Sequence, residues 1–295
     1  MKHLLRILPI TLLAVACNDE IEHGTPIIGF DAQVEHTRAV ADINSLQANG
    51  FSVWGGYDGT TVFDGRKVSY ASGAWTYDNP EVWVLDKEYH FFAVYPDKER
   101  NAYSINDDIY SITYDVKAKQ EDLLVAKATA KYNGVDEPPI VAFEFEHTLA
   151  QLEFVGSSTA TQQFASISSI KLYGEGIPSS AILNATSNTY QWSSRVSTTS
   201  DSPFLYSDNA SQGWRLTNSG TTVLSEVLVF PKSETNVTVE IAIGSEIKTA
   251  TLSDSLESGK KYRYTFSVDP YDYIIFNKPI ITEWQTATAG SVVIK

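Results

Sequence analysis

A single cysteine, Cys17, stands in 295 residues. That scarcity excludes an intramolecular disulfide and a thiolate-rich metal centre. Basic residues are outnumbered, 22 against 36 acidic ones, for a net charge of −14. A chain this acidic is a poor match for nucleic acid, where affinity rests on neutralising phosphates. It is an equally poor match for an anionic membrane surface, which selects a basic amphipathic face. No apolar run reaches the roughly 20 residues of a transmembrane helix. No stretch keeps an i, i+3, i+4, i+7 apolar stripe over three turns, so long amphipathic helices are not expected.

Catalytic signatures are missing as well. The chain has no Gly-x-Ser-x-Gly, no P-loop and no Gly-x-Gly-x-x-Gly after a strand. Its histidines, His3, His23, His36, His90 and His147, have no partner at zinc-ligand spacing. His90 lies inside an aromatic strand pattern and His147 follows one, so both read as structural. Glu144-Phe145-Glu146 alternates acid with apolar residue, which is the pattern of a solvated strand face. Asp107-Asp108 lacks the spacing of a calcium loop around it. The chain therefore reads as a non-enzyme with no cofactor and no metal.

What is present begins at the first residue. Lys2 and Arg6 give a positive start, and a short apolar run ends in Leu13-Ala14-Val15-Ala16-Cys17. Such a run suits the hydrophobic region of a cleaved signal, and small residues before a lone cysteine suit lipoprotein processing. Residues 1–16 are expected to be the signal, with Cys17 lipidated and anchored in a membrane by its acyl chains. Losing Lys2 and Arg6 leaves 20 basic against 36 acidic residues, a net charge of −16. An acidic tether, Asn18-Asp19-Glu20-Ile21-Glu22, follows.

Beyond the tether, strand patterns dominate. Phe51-Ser52-Val53-Trp54, Tyr89-His90-Phe91-Phe92-Ala93-Val94-Tyr95, Val141-Ala142-Phe143-Glu144-Phe145 and Val237-Thr238-Val239-Glu240-Ile241-Ala242-Ile243 are separated by clusters of Gly, Asn, Asp, Ser and Pro. Many short strands at regular spacing predict β-sandwiches. The helical candidates are short, at residues 42–46 and 121–126. Asn133-Gly134 and Pro138-Pro139 punctuate the chain strongly and suggest a division there. The polar stretch 193–212 reads as a long surface loop.

Several segments, taken in order, resemble the fimbrillin family of surface lipoproteins in Bacteroides-type bacteria. They are the lipidation motif with its acidic patch, Ile28-Gly29-Phe30, His36-Thr37-Arg38-Ala39-Val40, and Leu46-Gln47-Ala48-Asn49-Gly50-Phe51-Ser52-Val53-Trp54. Then come Trp75-Thr76-Tyr77 with Trp83, Tyr89-His90-Phe91-Phe92-Ala93-Val94-Tyr95-Pro96, and Phe145-Glu146-His147-Thr148-Leu149-Ala150. The series closes on Leu256-Glu257-Ser258-Gly259-Lys260-Lys261-Tyr262 and Ile281-Thr282-Glu283-Trp284. The resemblance departs near Trp83, which Pro80 precedes.

The resemblance implies an all-β protein of two tandem antiparallel β-sandwich domains after a lipoprotein signal peptide. It divides the chain into a tether and N-terminal strand over 17–38, an N-terminal sandwich over 39–136 and a C-terminal sandwich over 137–295. It implies an arginine-specific processing protease that cuts after Arg38, making Ala39 the new N-terminus. The cut would remove the first strand, near residues 27–34, together with the lipid. A sandwich that loses a strand exposes apolar groove and unpaired backbone groups, which an extended segment of another subunit can fill. The β-branched run Val292, Val293, Ile294 after Gly290 is the donor candidate, and its alternative is the last strand of its own domain. The partners implied are other fimbrial subunits in a head-to-tail polymer and the outer membrane through Cys17, with a host or glycan ligand at the surface. A second reading is a monomeric surface lipoprotein that binds glycan, with Trp192 and Trp214 beside the polar loop.

Overall fold

Alternating apolar and polar residues, joined by tight turns, dictate strands along most of the chain. Two hairpins show the local cause. Asp58-Gly59 and Ser72-Gly73 both take positive φ at their two central positions, the geometry that matches the strand twist. They close hairpins at the pairs Tyr57↔Thr60 and Ala71↔Ala74. The computed structural model describes residues 25–34, 41–96, 102–104, 109–159, 166–185, 189–208, 213–233, 236–268 and 274–283.

The first strands are β1 (Gly29–Val34), β2 (Phe51–Tyr57), β3 (Thr60–Ala71), β4 (Ala74–Thr76), β5 (Glu88–Tyr95), β6 (Ala102–Ser104), β7 (Ile109–Asp115), β8 (Leu124–Lys131) and β9 (Ile140–His147). They are followed by β10 (Ala150–Ser158), β11 (Ser166–Tyr173), β12 (Ser180–Ala185), β13 (Tyr190–Val196), β14 (Leu205–Asp208) and β15 (Trp214–Arg215). The last are β16 (Thr221–Val229), β17 (Val237–Ile243), β18 (Glu246–Leu252), β19 (Lys260–Val268), β20 (Ile274–Phe276) and β21 (Ile280–Glu283). Two short helices interrupt them, α1 (Ile43–Asn49) and α2 (Val116–Lys119). The fold is all-β, as the sequence predicts.

Four sheets result. A seven-stranded sheet runs β1-β9-β8-β5-β2-β3-β4, and a four-stranded one runs β13-β12-β7-β6. The remaining strands form β16-β10-β19-β20, with β21 also on β19, and β14-β11-β17-β18, with β15 also on β11. Two pairs run parallel, β1 with β9 and β10 with β19, which departs from the antiparallel expectation. The turn through Asn133-Gly134 and Pro138-Pro139 joins β8 to β9 inside the seven-stranded sheet. β7, from before that turn, pairs with β12, from after it. Sheet membership therefore crosses the 136/137 division in both directions.

The reason lies in strands that are buried on both faces. Along β5, Tyr89, Phe91, Ala93 and Tyr95 enter one core while Phe92 and Val94 enter the other. Along β8, Leu124 and Ala126 face the first core and Val125 the second. Phe92 stacks on Tyr110 of β7 at 4.3 Å between ring centroids. The middle of the large sheet thus serves both cores at once.

That double burial also corrects two local expectations. Residues 121–126 are not helical, because Leu124 opens β8. The continuous apolar run Leu123-Leu124-Val125-Ala126 is the sequence of a fully buried strand and imitates a buried helical turn. The stretch 193–212 is not a free loop, since it contains the end of β13 and all of β14, and Thr198 and Phe204 are buried. The helix near 42–46 does form and extends to Asn49, capped by the Asp42 carboxylate, which accepts from Ser45 N at 2.9 Å. The Asp107-Asp108 pair lies outside the described residues.

A charge cluster ties β10 to β19. Glu153 is largely buried and accepts from Arg263 Nε at 2.7 Å, with Lys261 Nζ at 3.3 Å. Burial pushes its carboxyl up, but the hydrogen bond from Arg263 and the two cations outweigh this and hold it below the ordinary value of 4.5. The carboxyl therefore takes up a proton less readily folded than unfolded. Its contribution is complete above about pH 4.5 and drains away as the pH falls through the lower folded value. Glu153→Gln is expected to flatten the acid limb of a stability-against-pH curve, read as the urea midpoint between neutral and acid pH. An unchanged acid limb would remove Glu153 from that dependence.

Candidate functional site

The most unusual element is the first strand. β1 has the alternating pattern that buries one face, with Ile28, Phe30, Ala32 and Val34 inside and Asp31 and Gln33 outside. It lies parallel to β9 in continuous register from Gly29↔Ile140 to Val34↔Phe145. A parallel neighbour cannot come from a hairpin and needs a long connection, and here more than a hundred residues separate the pair. Gln33 Nε2 donates to Glu144 Oε1 across the pair at 2.7 Å.

Among the described residues, the opposite flank is secured by hydrogen bonds at the strand's start. Ile28 N donates to Glu81 O, and Trp83 N to Pro26 O, each at 2.8 Å. The Tyr77 hydroxyl donates to Ile28 O at 2.7 Å and accepts from Glu81 N at 3.1 Å. Burial raises the pKa of this hydroxyl, so it stays protonated and keeps its donor role. From Phe30 onward, β1 has no second ladder partner among the described residues.

Phe30 is the anchor. Its ring centroid lies 5.6 Å from Phe143 in a stacked pair, 5.3 Å from Phe63 and 5.8 Å from Phe91 edge-on, and 5.4 Å from Tyr77. Arg66 closes the cluster from outside. Its guanidinium lies 5.5 Å from the Phe63 centroid and 5.8 Å from that of Tyr77, and pairs with Glu81 at 3.0 Å. The groove thus has an aromatic floor, one backbone edge from β9 and a clasp of Tyr77, Glu81 and Trp83.

Six residues, 35–40, connect β1 to Ala41, which is buried ahead of α1. Of the residues singled out from the sequence, Arg38 and Ala39 fall in that connection and lie outside the described residues. Cys17 and the run Val292, Val293, Ile294 also lie outside them. The first strand lies at Gly29–Val34, within the stretch 27–34 that the resemblance implies for it. The clasp is new. Tyr77 and Trp83 stand in the aromatic segment that carries the resemblance, whereas Glu81 and the neighbouring Arg66 carry no motif. Only the curl of the sheet brings them together at β1.

A fimbrillin-like family model matches residues 37–284. The chain belongs to the fimbrillin-like family. No curated protein matches the sequence. Solved structures share the fold. A candidate cell adhesion protein from Bacteroides uniformis is 17% identical, with 88% of this chain and 100% of that one covered and a TM-score of 0.56. A candidate cell adhesion protein from Bacteroides ovatus is 14% identical, with coverage of 90% and 99% and a TM-score of 0.53. A fimbrial protein from Bacteroides vulgatus is 16% identical, with coverage of 88% and 99% and a TM-score of 0.51. At such identities the likeness establishes the fimbrillin-like fold alone. The model's match opens at Thr37, so β1 lies ahead of it.

Proposed function

We propose that the chain is a subunit, stalk or tip, of a cell-surface fimbria that supports adhesion. It is exported as an outer-membrane lipoprotein through Cys17, and an arginine-specific protease cuts it between Arg38 and Ala39. Donor-strand exchange then joins it to other subunits. The fimbrillin-like match and the fimbrial and adhesion neighbours support the subunit reading. One observation carries the assembly step. β1 is a peripheral, parallel strand that nonetheless delivers Phe30 to the centre of the aromatic core.

Removing residues 17–38 takes away that strand. It leaves the facing edge of β9 unpaired over residues 140–145 and uncovers Phe63, Phe91 and Phe143. Unpaired backbone groups and bare aromatic rings both favour refilling by an extended apolar segment. Val292, Val293 and Ile294 of a second copy suit the role, because β-branched residues fit a pleated, half-buried surface. The contact is head to tail, so it propagates without closing.

The test is limited trypsin treatment of the purified full chain carrying Cys17→Ser. An Ala39 N-terminus, a ladder on mildly denaturing gels and filaments by electron microscopy are expected together. Arg38→Ala should abolish all three, and deleting residues 292–295 should abolish the ladder while leaving the cut. A clean cut with no ladder marks a tip subunit. A monomer that resists cleavage at Arg38 defeats the assembly mechanism.

A further inference from the structure

A cleft of about 900 Å³ opens where β13 passes the end of β9 and the loops at 231–233 and 255–258. Its size lies in the range of small-molecule sites. It is remote in sequence from β1 and plays no part in the assembly reading. Tyr190, Trp192 and Arg195 face it from β13, with Gln191, Lys232 and Ser258 around them.

The aromatic wall is held rigidly. Trp192 donates its indole N–H to Thr148 O at 3.1 Å and packs on Phe230 at 4.5 Å between centroids, yet it stays partly exposed. Ser258 Oγ donates to the same Thr148 carbonyl at 3.2 Å, which leaves its lone pairs for a ligand donor. Burial raises the pKa of the Tyr190 hydroxyl, with Glu146 adding to the effect, so it remains neutral and can donate or accept.

Arg195 is the unexplained group. Its Nη2 donates to Pro231 O at 2.7 Å, while Nη1 is shut off from solvent without a hydrogen-bond partner. Among the described residues no carboxylate pairs with it, and burial alone lowers its pKa. Arg195 is half-buried and lines the cleft, so the part of its guanidinium that stays open can meet an anion there. The enclosed Nη1 keeps the side chain in place rather than serving as the contact. The charged residues lining the cleft balance, with Arg195 and Lys232 against Glu146 and Glu257. Such balance suits one carboxylate among hydroxyls and disfavours a multiply charged phosphate or sulfate ester.

We propose that this cleft binds an acidic sugar of the hexuronic type, its ring over Trp192 and its carboxylate on Arg195. The apolar C–H face of the ring covers the indole, since aromatic side chains with one polar tip suit ligands that are wet on one side. The sugar hydroxyls exchange hydrogen bonds with Gln191, Ser258 and Tyr190. The charged contact between carboxylate and guanidinium sets the preference for an acidic over a neutral sugar.

The test is calorimetric titration of the full chain with glucuronate, glucose and acetate. Glucuronate is expected to bind at least about tenfold more tightly than either control, because a charged hydrogen bond and the ring contact are each lost in one of them. Arg195→Gln should weaken glucuronate about tenfold or more while the chain keeps a single cooperative melting transition. The exposed Gln191→Ala, which leaves the packing untouched, should weaken it severalfold. Equal affinity for acetate would reduce the site to a bare anion hole and overturn the proposal, and so would equal affinity for glucose. Absence of glucuronate binding at millimolar concentration, or binding indifferent to both substitutions, would also overturn it.

Discussion

Phe30→Ala is expected to destabilise the chain by about 3–5 kcal/mol. Phe30 is 6% exposed and its ring meets four others, from β3, β5, β9 and the segment after β4. Truncation loses the transfer energy of the ring and leaves a cavity whose walls are aromatic and slow to collapse. Tyr77 is further restrained by its hydrogen bonds to Ile28 and Glu81. The urea midpoint should fall with little change in slope. Gln33→Ala on the exposed face of the same strand should change stability by no more than about 0.5 kcal/mol. Similar values for the two substitutions would mean that β1 lies on the core without being part of it. The same change loosens the first strand in its groove, so a cut chain carrying Phe30→Ala should exchange its strand for a donor faster.

Asp122→Ala is expected to cost a comparable amount, about 3–5 kcal/mol, because it breaks a buried pair from one side. Asp122 is 1% exposed, and its Oδ2 lies 2.7 Å from Nδ1 of the buried His147. A carboxylate can only accept, so Nδ1 carries the proton and becomes an unsatisfied buried donor once the carboxylate is gone. Thr148 adds two bonds nearby, from its N and its Oγ1 to Leu123 O at 3.1 and 2.8 Å. Together they clamp the start of β8 to the end of β9, the strand on which β1 lies. Urea denaturation should show the single change costing more than the double change Asp122→Leu with His147→Leu, since an apolar pair leaves no orphaned group. A double variant worse than both singles would show that the pair contributes net stability of its own.

Much of the fold was legible because strands leave a period-two signature wherever one face is wet. β9 alternates exposed and buried residues without a break from Ile140 to His147, and Glu144 and Glu146 are exposed as the pattern requires. β1 shows the same alternation in the structure, although its place was expected from the resemblance alone. The signature fails where both faces are dry. The run Leu123-Leu124-Val125-Ala126 has no polar residue inside it to mark its period, so it reads equally as a buried helical turn or a buried strand. It fails again where polarity comes from function or from a bend. Residues 193–208 carry strand segments under a Ser- and Thr-rich composition. Of the sites, the first strand could be located, but its clasp could not, because the aromatic segment of Tyr77 and Trp83 does not say which strand it grips, and Glu81 and Arg66 are ordinary residues one at a time. Arg195 left no trace at all, since an unmet donor is a property of surroundings and not of a residue.

By itself, the sequence determined the class of the molecule: an acidic, cysteine-poor, strand-built chain of the fimbrillin-like type whose first strand precedes a short capped helix. The strands and the helix follow from local chemistry, namely the alternation, the turn residues and the Asp42 cap, each acting within a few positions. The fimbrillin-like type rests on the order of resembling segments along the chain. The tertiary structure alone decided which strands meet. It placed β1 parallel to β9, threaded β7 back to β12, shared β5 and β8 between two cores, and set Arg195 in the lining of a cleft. Those outcomes rest on contacts between residues many tens of positions apart, where the energy comes from excluding water between whole faces. No single residue announces such a partner in advance.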